Sequence, residues 1–289
     1  MNQAALFSYE QAFSRNSGWI TGDEQTRLRG KRVAIGGMGG AGGIHLLTLA
    51  RLGIGAFHIA DFDTFDTPNF NRQAGAMVST LGQAKTSVMA RMALDINPEI
   101  DIRTFDRGVT PENIDAFLDG VDLYVDGLDF FAFSARELVF PALAQRRIPA
   151  IIAAPVGMGA SLLNFMPGGM AFEDYFRWQG CSEEEKAIRF LIGLTPALLQ
   201  RTYLMDPSST DLKTQKVPST AIGSELCAGV AATEALKILL GRGNVIAAPR
   251  GVHFDAYRNK LVRTWRPWGN DNPLQRLAII IAKRQLKIK

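Results

Sequence analysis

A chain of 289 residues that is 47% hydrophobic can bury the core of one large α/β domain, or of a domain with an elaborated second half. Its two cysteines, Cys181 and Cys227, exclude a disulfide framework and a CxxC zinc pair, and His45, His58 and His253 show no metal-ligand spacing, so no zinc is expected. The net charge of +4 is uneven, because residues 258–289 carry nine Lys or Arg (Arg258, Lys260, Arg263, Arg266, Arg276, Lys283, Arg284, Lys287, Lys289) against Asp271 alone, a local +8 that leaves −4 elsewhere.

That basic tail is expected to be a solvated terminal helix, with an anionic partner or membrane surface as the alternative. No nucleic-acid partner is expected. The N-terminus lacks a basic stretch followed by an apolar run, so no signal peptide is expected. The longest uncharged stretch, 148–172, is broken by Pro149, Pro155, Pro167 and four glycines, which excludes a transmembrane segment there. A cytoplasmic location follows as the expectation.

Short apolar runs alternate with longer amphipathic segments. That pattern predicts an α/β fold with a doubly wound, mostly parallel, Rossmann-like sheet and an irregular C-terminal half that adds strands and helices. In chain order, "RVAIG" (32–36) is a strand and "AGGIHLLTLARLG" a helix. "AFHIAD" (56–61) is the second strand, and residues 79–97 contain a helix that stops near Pro98. Strands follow at 101–105, 122–126 and 149–154, with the helix "FSARELVFPALAQRR" between the last two.

Beyond that, "SLLNFM" (161–166) reads as a strand and "SEEEKAIRFLIGL" as a helix within a proline-bearing connection. Residues 220–241 form a long small-residue helix ended by Gly241. "GVHFDAY" and "KLVRTW" pair as a hairpin, and Leu274, Leu277, Ala278 and Ile281 mark an amphipathic helix. The organisation expected is an N-terminal arm at 1–29, a nucleotide-binding half at 30–155, a crossover region with a packing helix in the same domain at 156–257, and a basic strand and helix at 258–289. His45 and His58 fall in a helix and a strand, where structural imidazoles are expected.

"GGMGGAGG" places Gly37, Gly39, Gly40 and Gly42 between strand and helix, where backbone N–H groups can cradle phosphate. Dehydrogenases, flavoproteins and methyltransferases share such a string, so it leaves the phosphate unidentified. "ADFDTFDTPNFNRQ" (60–73) narrows the choice. Asp61 ends the second strand, where a carboxylate accepts ribose hydroxyls, and Asp63 follows it. Asn69, Arg72 and Gln73 come next on a loop, and Lys85 opens the following helix. A dehydrogenase needs no cations on a pyrophosphate that never reacts. An enzyme that breaks an α–β phosphoanhydride does, because charge builds on the transferred and departing groups. Asp126 and Asp129 end the fourth strand at the sheet edge where ligands bind. A carboxylate facing a triphosphate calls for a cation between them, so Asp129 reads as a Mg²⁺ ligand, with a helix N-cap as the alternative. Lys85 and Asp129 are both expected to be exposed.

In this order the motifs resemble those of the ThiF/MoeB family of ubiquitin-activating-enzyme-like adenylyltransferases. The resemblance is dense over residues 30–155 and returns in "GVAATEALKILLG". It implies binding of ATP and Mg²⁺ and adenylation of a carboxylate, such as a ubiquitin-like or sulfur-carrier tail, a peptide or a small acid. By resemblance the four glycines, Asp61, Asp63, Asn69 and Gln73 bind ATP, Arg72 and Lys85 act on the reacting phosphates, and Asp129 holds magnesium. A homodimer is implied, and "FSRNSGWI" makes Arg15 a candidate arginine acting in the partner's site, or else a surface charge. The zinc-binding CxxC pairs of many relatives are absent, and Phe130 replaces the usual asparagine after the second acid. Cys181 is the sole plausible counterpart of a thioester cysteine, and apart from nearby Arg177 it has no neighbouring histidine or cation cluster to activate it. Two other readings stand: a nucleotide-binding partner protein that no longer catalyses, and a dinucleotide-dependent oxidoreductase.

Overall fold

The structure is a computed structural model that describes residues 7–212 and 214–286. The first six residues, where a leader would begin, and Lys287 and Lys289 of the basic tail lie outside that range. One eight-stranded sheet runs through the molecule in the order β3-β2-β1-β4-β5-β6-β7-β8. Its strands are β1 (Arg32–Gly36), β2 (Ala56–Ala60), β3 (Asp101–Phe105), β4 (Leu123–Asp126), β5 (Ala150–Val156), β6 (Gly159–Phe165), β7 (Arg250–Asp255) and β8 (Lys260–Trp265). The first five pair in parallel, and β5 to β8 form an antiparallel meander. The chain leaves β1 for β2 on one side and returns to β4 on the other, which opens a crevice at the carboxyl ends of those strands.

The helices are α1 (Tyr9–Ala12), α2 (Gly22–Arg29), α3 (Gly40–Leu52), α4 (Lys85–Ile96), α5 (Ile114–Leu118), α6 (Phe133–Arg146), α7 (Phe172–Phe176), α8 (Glu183–Leu194), α9 (Ala221–Leu240) and α10 (Pro273–Gln285). One sheet face is covered by α3, α4 and α9, through Leu46, Leu49, Val88, Met89, Ala231 and Ala235. The other carries an aromatic core of Phe117, Tyr124, Phe140, Phe165, Phe172, Phe176 and Trp178 under α5–α8. Because both faces are covered, β1 and β4 read as continuous apolar runs rather than as alternating ones.

Capping explains the longer helices. Ser182 accepts the Glu185 N–H at the start of α8, Thr220 accepts the Gly223 N–H at the start of α9, and Gly241 closes α9 in the left-handed region. The helix expected within 79–97 begins only at Lys85, because 78–80 form a 3₁₀ turn and Gly82 turns with φ +75°. The short α1, α5 and α7, of four or five residues, carry too little periodicity to be read from sequence. Among the described residues no helix is long and apolar enough to cross a membrane.

Candidate functional site

The crevice is built on the glycine turn between β1 and α3. Gly37 has φ +83°, and a methyl group there would lie 2.3 Å from the Gly127 carbonyl oxygen. At Gly42 it would lie 1.7 Å from the Gly37 carbonyl oxygen. These two glycines therefore let α3 and the end of β4 close on the turn, while Gly39 and Gly40 line it. Gly39 is the N-cap residue of α3, and no side chain caps the helix. Its first N–H groups are thus left for an anion at the positive end of the helix.

Asp61 braces this turn from the end of β2. One carboxylate oxygen accepts the Met38 N–H at 2.6 Å and the other accepts the Asp63 N–H at 2.8 Å. Each oxygen retains a second lone pair, so ribose hydroxyls can still be accepted. Asp63 carries the relay onward, since its carboxylate pairs with Lys85 Nζ at 2.9 Å and its carbonyl accepts the Lys85 N–H at 3.0 Å. Lys85 is 6% exposed, which corrects the expectation of a surface lysine. Backbone hydrogen bonds tie the start of α4 to residues 63–65, so the stem of Lys85 is enclosed and its ammonium meets Asp63.

Residues 69–73 wrap the turn. The Asn69 side chain accepts the Asp66 N–H at 3.0 Å and closes a 3₁₀ turn, which is a structural duty. The Arg72 side chain lies against Gly40, and its guanidinium donates to the Pro68 carbonyl and the Asn71 side chain. Gln73 is 7% exposed beside Gly39, and its Oε1 has no partner among the described residues. A buried acceptor without a donor costs about 1–3 kcal/mol. An incoming hydroxyl or amine at the turn would relieve that cost, so the cradle fits a nucleotide.

Asp126 and Asp129 diverge. Asp126 is buried against Arg136, with Oδ2 accepting Nε at 2.9 Å and Oδ1 accepting the Tyr124 hydroxyl at 3.0 Å, so it does not face a ligand. Burial together with the Asp126 charge drives the Tyr124 hydroxyl well above its usual range. Asp129 is exposed on the loop that follows β4. Its Oδ1 accepts the Phe131 N–H at 2.9 Å, an Asx turn that precedes α6 rather than the N-cap of that helix, which is Ala132. The second oxygen of Asp129 has no protein partner among the described residues. No cluster of three or more His, Cys, Asp or Glu there could hold a metal. The residues therefore fit a Mg²⁺ ion held by one carboxylate with phosphate oxygens and water, rather than an all-protein cage.

Arg136 was not singled out from sequence. Its signal is positional, since it falls on the buried stripe Phe133, Arg136, Val139, Phe140 and Leu143 of α6. An arginine on an apolar stripe must find partners. Ser224 of α9, 1% exposed beside Gly40, and Asn71, whose amide donates to the Ser219 carbonyl, also escaped sequence reading. They join the second half of the chain to the nucleotide turn.

Arg15 lies elsewhere. Its 3₁₀ turn is held by the neighbouring Asn16, which donates to Gln25 Oε1 and to the Leu52 carbonyl at the far end of α3. Thirteen helical residues separate that end from the glycine turn by about 20 Å. Arg15 is exposed and makes no hydrogen bond or ion pair among the described residues, and it does not join the site of its own chain. Burial raises the Cys181 thiol above its usual value, and Cys227 is pushed up strongly inside α9, so neither is an activated nucleophile.

A family model described as "ThiF family" matches residues 13–277. A tRNA threonylcarbamoyladenosine dehydratase from Haemophilus influenzae is 37% identical over 116 residues, 40% of this chain and 44% of that protein. A probable adenylyltransferase/sulfurtransferase MoeZ from Mycobacterium tuberculosis is 31% identical over 237 residues, 78% of this chain and 51% of that one. The chain spans about half the length of these curated relatives. The crystal structure of Escherichia coli MccB with ATP superposes with a TM-score of 0.60 at 20% identity, covering 83% of this chain and 65% of that chain. This likeness shows a shared fold.

Proposed function

The chain belongs to the ThiF family, and we propose that it uses ATP and Mg²⁺ to adenylate a carboxylate, releasing pyrophosphate. The observation that carries this reading is Arg72 against Gly40 at an uncapped helix start, with Lys85 joined to the same turn through Asp63 and Asp61. A site that only stores a nucleotide has no use for both. In the reaction a substrate carboxylate oxygen attacks the α-phosphorus, the α–β anhydride bond breaks, and pyrophosphate leaves with the bonding pair. The amide groups at the start of α3 bind phosphate, Asp61 orients the ribose, and Gln73 accepts from a nucleotide donor. Arg72 and Lys85 stabilise the charge that develops on the reacting and leaving oxygens. Lys85 is available because its partner Asp63 is half exposed and can exchange the ammonium for water. Magnesium, held by the open oxygen of Asp129, would supply charge neutralisation between that carboxylate and the phosphates.

The acceptor carboxylate is a carrier-protein tail, a peptide or a small acid. Leaving the acceptor class open at this level is supported by the differing names of the chain's relatives, a tRNA threonylcarbamoyladenosine dehydratase and a probable adenylyltransferase/sulfurtransferase. The raised Cys181 thiol supports an acyl-adenylate passed on without a lasting enzyme thioester.

Labelled pyrophosphate should exchange into ATP when enzyme, Mg²⁺ and a matching carboxylate are mixed. Tight ATP binding without exchange for any acceptor would replace this reading with that of a non-catalytic nucleotide-binding partner. Calorimetry in which NAD(H) binds and ATP does not would replace it with an oxidoreductase.

A further inference from the structure

We propose that Arg136 is the positioning residue for Asp129, setting the direction of that carboxylate from inside the protein. The inference deepens the adenylation reading and rests on its assignment of Asp129 to the metal. Residues 127–132 join β4 to α6 without secondary structure, yet Asp129 must be held within a fraction of an ångström to coordinate a cation. The guanidinium holds it. Nη2 donates to the Leu128 carbonyl at 2.9 Å, and Nη1 donates to those of Asp129 at 2.8 Å and Phe130 at 3.3 Å. Three consecutive carbonyls are thereby turned toward one buried point.

With its own carbonyl pinned inward, Asp129 presents its side chain outward. The Phe131 N–H then fixes one carboxylate oxygen and leaves the other open. Arg136 has little freedom to drift. Its Nε is tied to Asp126, which is fixed in turn by the Tyr124 hydroxyl, and the Phe190 ring of α8 lies under the guanidinium at 4.5 Å. Arg136 is 2% exposed, so it acts through Asp129 and not on a ligand. A lysine could keep the charge beside Asp126, but a single ammonium cannot reproduce a planar fork reaching three carbonyls as well. Phe190 also packs on Phe130, so the loop is braced from the second half of the chain as well as from α6.

The test is calorimetric titration of the full chain with ATP, with and without Mg²⁺, on wild type, Arg136→Lys, Asp129→Ala and the double variant. Arg136→Lys should lose at least tenfold of the gain in ATP affinity that Mg²⁺ confers, while metal-free ATP affinity stays within twofold. The double variant should be no worse than Asp129→Ala alone, and amide exchange at Phe131 should quicken in Arg136→Lys. An unchanged magnesium dependence, an equal loss with and without the metal, or additive losses in the double variant would each overturn the proposal. Asp126→Asn, nearly isosteric, gives the same readout with a smaller loss if Arg136→Lys fails to fold, and no loss there would also overturn it. If Asp129→Ala itself keeps the full magnesium gain, the assignment of Asp129 and this proposal fail together. Magnesium-dependent ATP binding without pyrophosphate exchange would instead sink the adenylation reading and leave Arg136 in its role.

Discussion

In the proposed reaction Lys85 meets two demands that usually conflict: a charge at the reacting phosphates and a place in a packed helix start. Its ammonium is paired with Asp63 while its stem is enclosed, so desolvation is offset by one ion pair. Lys85→Met, which keeps the stem, should fold and still bind ATP, yet lose pyrophosphate exchange by about two to three orders of magnitude, a range typical of a lost electrostatic donor. Steady-state exchange rates alongside circular dichroism would check both parts. His45 illustrates the opposite case, a titratable group without a chemical task. It is fully buried in α3, its Nε2 lies 3.3 Å from the Ala153 carbonyl, and burial pushes its pKa down to about 4. The unfolded chain takes up this proton near pH 6.5 and the folded chain does not. Stability from this group is therefore complete above about pH 6.5 and declines as the pH falls toward 4, at roughly 1.4 kcal/mol per pH unit. Melting curves between pH 7.5 and 5 should be less steeply pH-dependent in His45→Gln than in wild type.

Among the elements, the β1–α3 turn shows why a glycine string is ambiguous from sequence and decisive in space. Four glycines announce a phosphate cradle, but only packing reveals that Gly42 and Gly37 serve the approach of the β4 end while Gly39 and Gly40 face the crevice. Gly42→Ala should lower stability by about 2–4 kcal/mol and reduce ATP affinity with it, because the methyl would overlap the Gly37 carbonyl. Melting temperature and nucleotide titration should therefore move together. The same lesson applies to α6, where helical spacing is legible but the reason for an arginine on the apolar stripe is not. That reason is the loop before the helix, which has no periodicity of its own.

Across the molecule, α10 packs on α8 through Ile279, Ile188 and Ile192, with Lys283 paired to Glu185 at 2.9 Å. Part of the tail's basic charge is thus structural rather than freely solvated. Ile279→Ala should cost about 2–4 kcal/mol in denaturant unfolding, whereas Leu277→Ala, at a side chain 55% exposed, should cost under about 0.5. Arg15 raises a question about assembly. It lies a full helix length from its own glycine turn, so it can act in catalysis only from a second copy. Arg15→Ala and Lys85→Met variants, each inactive alone, should regain up to about half the exchange activity per mixed dimer when combined, since one of its two sites would be intact. No recovery in mixtures shown to exchange subunits would return Arg15 to the surface.

The sequence by itself determined the parallel half of the sheet, the long helices and the glycine–acid–cation order of the crevice. These features repeat at fixed local periods or stand at strand ends, where residue type and position are enough. Tertiary structure alone decided which charges are tools and which are struts. Asp126 and Asp129, three positions apart, read alike in one dimension, yet one is buried on Arg136 and the other is exposed, with one oxygen unpartnered among the described residues. Asn69 and Gln73 share a loop, yet one closes a turn and the other has a buried oxygen without a partner among the described residues. The physical reason is that a polar side chain's role is set by the partners and water within hydrogen-bond reach, and those partners come from segments distant along the chain.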